Sequence, residues 1–203
     1  GISEYGAPTY FDNLEVKEVP CIKNVPYYND FQNAEVNMVP LCWDNSASTS
    51  SSLSSSPQYI WGVYNYNGNN MIRMYNYFVE SGYATINTNP LILPSDDTCE
   101  LKFDISHRAS CNPAEILISN DNGATYTMLD AIGQTTSSIN KDNPGTFVPK
   151  TYNLANYAGD TIIIRFNANA NYGSGAIFID NLAIRPTNSC ADPTSVTATA
   201  TSA

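Results

Sequence analysis

The sequence predicts an all-β domain, a two-sheet antiparallel β-sandwich of the jelly-roll type. Among its 203 residues tyrosine is abundant, and Tyr, Thr, Ile and Val favour strands, whereas Asn, Gly, Pro and Ser favour turns. No window keeps a helical period of apolar residues over about three turns. Short runs with strand character recur with turn signals between them, which is typical of sandwiches and jelly rolls.

The first half of the chain predicts strands interrupted by one long polar segment. Residues 24–43 predict a first strand, a short excursion and a second strand anchored by a buried Trp43. Residues 44–57 are almost pure Ser, Thr, Asn and Ala, and such a composition buries too little apolar area to order itself. We therefore expect an exposed loop there. Strand character resumes at 59–64, 71–78 and 82–86.

The second half predicts the central hairpin and the longest strands. The triplet Asp121-Asn122-Gly123 predicts a hairpin turn, because Asn and Gly tolerate positive φ. The surrounding residues 119–126 fit the Asp-box pattern, a device in which the Asp side chain bonds turn amides. Residues 131–147 predict a long loop. Further strands are predicted at 91–93, 99–105, 114–119, 125–129, 161–166 and 176–184.

One short pattern occurs twice. Residues 10–21 and 178–190 each carry an aromatic residue, an Asp-Asn-Leu triplet, alternating apolar residues, then Pro and Cys. Self-similarity of this kind indicates a tandem array. We therefore interpret 1–23 as the last strand of a preceding repeat, 24–188 as a jelly-roll domain, and 189–203 as a linker and the start of a following β-domain.

The five cysteines form no Cys-x-x-Cys pair, which argues against a zinc site. Cys21 and Cys190 occupy equivalent positions in the two copies of the pattern, which favours bonds to neighbouring units over a bond to each other. Three cysteines then remain for the domain, Cys42, Cys99 and Cys111. At most one internal disulfide is expected, and its connectivity stays open.

Charge and motifs argue against several function classes. The net charge of −10 disfavours nucleic acid as a partner, because phosphate binding needs clustered Lys and Arg. No apolar run is long enough to span a bilayer. The single histidine, His107, lies in a predicted turn, and neither a Gly-x-Ser-x-Gly elbow nor a phosphate-binding glycine loop is present. We expect no enzymatic activity in this chain.

Aromatic residues interleaved with asparagines suggest sugar recognition. Aromatic faces stack on pyranose C–H groups while amides bond the hydroxyls. The alternative is that several of these rings are core or edge residues of the sandwich, and Trp61 is open between the two. The candidate ligand-binding residues are Trp61, Tyr64, Tyr66, Tyr75 and Tyr77.

Several segments, in order, resemble the cleaved-adhesin or choice-of-anchor J jelly rolls, whose eukaryotic relatives are the MAM domains. These segments are 26–31 with Cys42-Trp43, 115–123, 161–166 and 178–182; residues 190–194 resemble the start of a fibronectin type III-like unit. The resemblance implies a two-sheet jelly roll in a secreted or surface-attached bacterial protein. The chain departs from the family pattern at the Ser-rich 46–56 and at Gln32, where the family often has Glu.

Asp180 is the single residue that most needs an explanation. In an extended strand Phe178, Asp180, Leu182 and Ile184 share one face, which must be the core face. A carboxylate there costs several kcal/mol unless it is paired, hydrogen-bonded or bound to a metal. The resemblance implies a calcium ion at this Asp. The candidate ligands are Asp180, Asp30, Gln32 and Asn181, whose hard oxygen atoms suit Ca²⁺.

The alternative for Asp180 is that it accepts backbone N–H bonds at a strand end or pairs with Arg165 or Lys102. For the whole chain we expect a non-catalytic adhesion module of a large secreted or cell-surface bacterial protein, with a glycan, a host or matrix protein, and neighbouring domains of the same chain as partners. Two alternatives are an accessory carbohydrate-binding module attached to a glycoside hydrolase or peptidase, and a structural spacer.

Overall fold

A computed structural model describes residues 21–49, 61–75, 81–107, 113–135, 142–171 and 176–187, with the backbone alone at 46–49, 75, 81–83 and 169–171. The strands in this part of the chain are β1 (Lys23–Asn24), β2 (Tyr27–Asn29), β3 (Asp44–Thr49), β4 (Gly62–Tyr66), β5 (Asn69–Tyr75), β6 (Ser81–Asn87), β7 (Leu91–Ile92), β8 (Cys99–His107), β9 (Ala114–Ser119), β10 (Thr127–Ile132), β11 (Val148–Asn153), β12 (Thr161–Asn171) and β13 (Ala176–Pro186). A short 3₁₀ helix spans Ala155–Tyr157.

The strands form two sheets that face each other. Sheet A has the order β10–β9–β12–β6–β3, with β7 and then β1 beside the first residues of β12. Sheet B has the order β11–β8–β13–β5–β4, with β2 beside the second half of β13. Among the described strands only the two-residue β1–β7 contact is parallel. This arrangement confirms the predicted all-β antiparallel sandwich.

Aromatic and branched side chains from both sheets fill the space between them. Phe103 of β8 and Phe166 of β12 meet edge to face, with ring centroids 5.2 Å apart. Trp61 is 1% exposed, and its indole N–H donates to the Ala84 carbonyl at 3.0 Å. Trp43 is also buried, as predicted. In the described residues no helix is long and apolar enough to cross a membrane.

Two segments predicted as loops are partly strands. Residues 44–49 form β3, which pairs with β6 from Asp44↔Asn87 to Thr49↔Gly82. The prediction was wrong there because backbone hydrogen bonds to a neighbour can hold an edge strand that carries few apolar side chains. Residues 50–57 lie outside the described residues. The loop predicted at 131–147 begins later, since β10 continues to Ile132.

The Asp-box hairpin has the structural role predicted for it. The Asp121 carboxylate accepts hydrogen bonds from the Thr125 backbone N–H at 2.9 Å and from the Ser119 hydroxyl at 2.7 Å. Asn122 and Gly123 have φ of 60° and 85°, the left-handed values the turn requires. The hydrogen bonds from Thr125 lead the causes that lower the pKa of Asp121 to about 2.

The disulfide arrangement corrects one prediction. Cys21 is bonded to Cys42, so it is joined to the domain and not to a neighbouring unit. The repeat pattern misled here because equivalent sequence positions need not have equivalent partners. Cys99 is a buried thiol, and Cys111 and Cys190 lie outside the described residues, as do residues 10–20 of the first copy of the repeated pattern.

His107 is buried, not exposed in a turn. It ends β8 and pairs with Ile177 across the strands. Burial lowers its pKa, which favours the neutral imidazole. The prediction was wrong because β8 continues to His107, whereas the turn was predicted to begin at this residue.

Candidate binding face on sheet B

A bulge in β13 decides which side chains reach the outer face of sheet B. Ile177 and Ile179 point into the core, and so do Leu182 and Ile184. Between the two pairs Asn181 has φ of 53°, and the register with β8 shifts after Asp180. Adding one residue to a strand reverses the faces of all later side chains.

Phe178 and Asp180 therefore lie on the outer face, away from Leu182 and Ile184. The prediction that all four share the core face was wrong, because it assumed an unbroken alternation. Phe178 belongs to a small apolar cluster on the outside of sheet B, together with Met71 and Ala176, and with Tyr64, Tyr66 and Phe147 at its margin.

Asp180 is nevertheless buried, at 5% exposure, and its carboxylate is held by hydrogen bonds. The Asn69 side-chain amide donates to Oδ2 at 2.8 Å, and the Asn181 backbone N–H donates to Oδ1 at 2.8 Å. Burial raises the pKa of Asp180 and these two bonds lower it, while the charges of Asp104 and Asp30 raise it further. Asp180 thus accepts one backbone N–H bond, as the alternative predicted, but at a bulge inside β13 and not at a strand end.

The alternative ion pairs for Asp180 are not formed. Lys102 pairs with Glu100 at 2.8 Å. The Arg165 Nε donates to Asn87 on sheet A, and its guanidinium lies over the Tyr126 ring. Both cations are engaged elsewhere, and the hydrogen-bond donors to Asp180 are the Asn69 amide and the Asn181 backbone N–H.

The hydrogen bonds continue from Asp180 across the outer face. The Asn181 side-chain amide donates to Asp104 Oδ2 at 2.8 Å, and Asp104 lies opposite Asp180 in the register of β8 and β13. We call Asn69, Asp180, Asn181 and Asp104 the polar row. It is a set of carboxylate and amide groups linked by hydrogen bonds on three adjacent strands.

Tyr28 stands beside Asn181 of the polar row. It lies opposite Ala183 in the β2–β13 register, and its hydroxyl donates to Asn181 Oδ1 at 3.1 Å. Its side chain is 61% exposed, so the ring presents an aromatic surface to solvent. The partial burial of its hydroxyl and the charges of Asp30, Asp180 and Asp104 raise the pKa of Tyr28.

Tyr66 stands beside Asn69, the member of the polar row on β5. It pairs with Asn69 across the β4–β5 hairpin, whose turn residues Asn67 and Gly68 have φ of 52° and 87°. These are the positive values that a tight two-residue hairpin turn needs. Tyr66 is half-buried against the apolar cluster. Two tyrosine rings thus lie beside the polar row.

The other predicted aromatic residues have different places. Trp61 lies in the core, so the prediction that it contacts ligand was wrong; its indole ring is part of the folded interior. The Arg73 guanidinium covers the Tyr64 ring at 3.7 Å, and the Tyr64 hydroxyl donates to the Asp142 carbonyl at 2.9 Å. The Tyr75 side chain and the whole of Tyr77 lie outside what the structure describes.

A loop covers the apolar half of this face. Phe147 packs against the cluster of Met71 and Phe178, and the Ser106 hydroxyl donates to the Pro144 carbonyl. Because Tyr64 and Arg73 are tied to the same loop through Asp142, this half is closed by the protein itself. The half that carries Tyr28 and the polar row contains the exposed side chains.

The predicted calcium ligands come close together but are satisfied by protein donors. Asn181 Oδ1 accepts from Tyr28, Gln32 Oε1 accepts from the Asn70 backbone N–H, and Asp30 Oδ1 accepts from the Gln32 backbone N–H. Among the described residues no three His, Cys, Asp or Glu are grouped as metal ligands. The predicted ligand oxygens therefore belong to a hydrogen-bonded network, and a bound ion would have to displace several of these hydrogen bonds.

Calcium binding stays a prediction with a simple test. If an ion binds at Asp180 and Asp30, chelation lowers the melting temperature by a few degrees, because a ligand that binds only the folded state stabilises it. Differential scanning calorimetry with added calcium and with chelator measures the shift. Equal melting temperatures would contradict the prediction and leave hydrogen bonding as the complete explanation of the buried Asp180.

A cleft lies beside the turn of the Asp-box hairpin. This cleft of about 470 Å³ is lined by the turn residues 120–122 and by 159–161 and Ile163. Asn120 donates to Asp160 across it at 2.8 Å. Its lining includes no aromatic ring, so it offers hydrogen bonds without a stacking surface.

Comparison with solved structures identifies the fold. The K1 cleaved adhesin domain of Lys-gingipain from Porphyromonas gingivalis W83 superposes with a TM-score of 0.54 and 16% identity, over 79% of this chain and 98% of that domain. The K2 cleaved adhesin domain of Lys-gingipain gives 0.53 and 11%, over 79% and 97%. A carbohydrate-binding module, TmCBM61 in complex with β-1,4-galactotriose, gives 0.51 and 13%, over 77% and 94%.

No protein-family model matches the sequence, and no curated protein matches it. At these identities the likeness establishes the fold alone. The chain has the adhesin-like jelly-roll sandwich that the sequence predicted, whereas the resemblance to MAM domains and to a following fibronectin type III-like unit stays a prediction.

Proposed function

We propose that this chain is a non-catalytic binding module that recognises glycans on the outer face of sheet B. The observation that carries the proposal is the exposed Tyr28 ring, fixed by its hydroxyl to a row of carboxylate and amide groups. A tyrosine ring provides a flat apolar surface for pyranose C–H groups, and planar polar groups beside it bind hydroxyls.

The hydrogen bonds that hold the side chains of the polar row in place support the proposed glycan site. The side chains of Asn181 and Asn69 are each held by a hydrogen bond to a carboxylate of the same row. Polar groups held in place lose little conformational entropy when a ligand binds. A face of this kind suits an extended ligand that lies across the strands, with Tyr28 beside Asn181 and Tyr66 beside Asn69.

The fold is compatible with both forms of binding module. Adhesin domains and a carbohydrate-binding module are among the structures that share it. We propose a place in a large secreted or cell-surface bacterial protein, as an adhesion module or as an accessory carbohydrate-binding module attached to a glycoside hydrolase or peptidase. A spacer role is the alternative that a complete absence of ligands would favour.

A glycan array screened with wild type and Tyr28→Ala tests the proposal. We expect wild type to bind a defined set of oligosaccharides with micromolar to millimolar affinity, and Tyr28→Ala to bind them about tenfold more weakly or not at all, because the stacking surface is gone. Tyr28→Phe, which keeps the ring and loses the bond to Asn181, should retain more affinity than Tyr28→Ala.

Met128→Ala is the matched control. Met128 is 52% exposed on β10 of sheet A, so its substitution also removes an exposed apolar side chain, but far from the polar row. Equal loss of binding in Tyr28→Ala and Met128→Ala, or glycan binding unaffected by Tyr28→Ala, would refute the proposed site.

A further inference from the structure

Three carboxylates lie at the end of the Tyr28 strand or on the next two strands of sheet B. Asp30 follows β2 directly, Asp104 lies on β8, and Asp180 lies opposite Asp104 on β13. The Tyr28 hydroxyl donates to Asn181 Oδ1 at 3.1 Å, and the Asn181 side-chain amide donates to Asp104 Oδ2 at 2.8 Å. The Asp180 carboxylate accepts from the Asn181 backbone N–H at 2.8 Å. Negative charge is thus concentrated beside the exposed Tyr28.

Among the described residues, the cations on the same face are paired with other acids. Lys102 and Arg185 both bind the Glu100 carboxylate, at 2.8 Å and 2.9 Å. Arg73 lies over Tyr64 and 3.7 Å from Asp142, at the half of the face that the loop covers. In the part of the chain that the structure describes, the polar groups beside Tyr28 are amides and carboxylates, without a cation among their hydrogen-bond partners.

We infer that this site selects glycans by charge: it accepts neutral and amine-bearing sugars and rejects those with carboxylate or sulfate groups. The inference rests on the proposed function and specifies its ligand class. A sugar carboxylate placed against Asp104 or Asp180 would be desolvated next to like charges, which costs binding free energy. A sugar ammonium group in the same place would donate charge-assisted hydrogen bonds to those carboxylates.

Matched polymer pairs separate charge from sugar identity. Native gels are cast with glycol chitin or glycol chitosan, which differ in N-acetylation, and with methyl-esterified pectin or pectate, which differ in the ester. Retardation is measured with chelator present, so that no calcium neutralises the acids, at about 20 mM and about 300 mM salt. We expect stronger retardation by glycol chitosan than by glycol chitin, and by esterified pectin than by pectate.

Two substitutions of equal charge assign the effect to the site. Asp104→Asn keeps the acceptor for Asn181 and removes one charge, whereas Asp44→Asn removes one charge on β3 of sheet A. For Asp104→Asn, we expect the ratio of retardation by glycol chitosan to retardation by glycol chitin to fall about threefold to tenfold. The ratio of retardation by pectate to retardation by esterified pectin should rise by a similar factor. Asp44→Asn should leave both ratios near the wild-type values.

The outcomes are distinguishable. Equal retardation within each pair, or identical ratios for Asp104→Asn and Asp44→Asn, overturns charge selection while Tyr28-dependent retardation by a neutral polymer still supports the proposed function. If no polymer is retarded in a Tyr28-dependent manner, the proposed function fails and the charge selection fails with it.

Discussion

Replacing Trp61 with alanine is expected to lower the free energy of unfolding by about 3–5 kcal/mol, the cost typical of removing a buried Trp side chain. The ring is 1% exposed and packs against Phe166 at a centroid distance of 6.4 Å. Its loss also leaves the Ala84 carbonyl without the indole donor. Urea denaturation of wild type and variant measures the difference.

Met128→Ala serves as control here too, because the exposed Met128 should change stability by less than about 0.5 kcal/mol. A Trp61→Ala protein with wild-type stability and no glycan binding would contradict the core position and restore Trp61 as a ligand contact. The experiment therefore decides between the two interpretations that the sequence left open for this residue.

Removing the Cys21–Cys42 disulfide is expected to lower stability by about 3 kcal/mol. The bond closes a loop with a sequence separation of 21 residues, and cross-linking a loop of this length restricts the unfolded chain. Denaturation of Cys42→Ala against wild type measures the loss.

Cys99→Ala is the matched cysteine control, because Cys99 is a buried thiol without a disulfide. Its small volume change should cost less than the loss of the disulfide. Peptide mapping under non-reducing conditions provides a second readout. A peptide that joins Cys21 to another cysteine, or a Cys42→Ala protein as stable as wild type, would contradict the pairing.

The sequence predicted the elements that depend on local signals. The strand at Thr161–Asn171 begins with a run of β-branched residues that favour an extended, buried strand, and the Asn122-Gly123 turn is chemically suited to positive φ. Trp43 was predicted in the core because it is a large aromatic ring beside apolar strand residues. In these cases local preference and the final fold agree.

The errors arose where distant residues decide the structure. The polar strand Asp44–Thr49 exists because β6 pairs with it, which local composition does not reveal. Asp180 changes face because Asn181 forms a bulge against β8, and a period of two cannot anticipate that extra residue. The disulfide partner of Cys21 likewise depends on which cysteine the folded chain brings next to it.

The candidate site was predicted only in part. Asp180, Asn181 and Tyr66 were predicted from the repeat and from the tyrosine pattern. All three lie on the outer face of sheet B. Tyr28 was missed, although the alternation in Tyr27-Tyr28 indicates that one ring points outward. Which ring that is depends on the pairing of β2 with β13, where Tyr28 lies opposite Ala183.

The proposed glycan site lies beside Tyr28 and the polar row. Backbone-amide NMR, recorded while the oligosaccharide that binds best on the array is titrated into the protein, locates the bound ligand. We predict the largest shifts at Tyr28, Asp104 and Asn181, on three neighbouring strands of sheet B. Shifts centred instead on the cleft at Asn120 and Asp160, or absent from β2, β8 and β13, would contradict the proposed site.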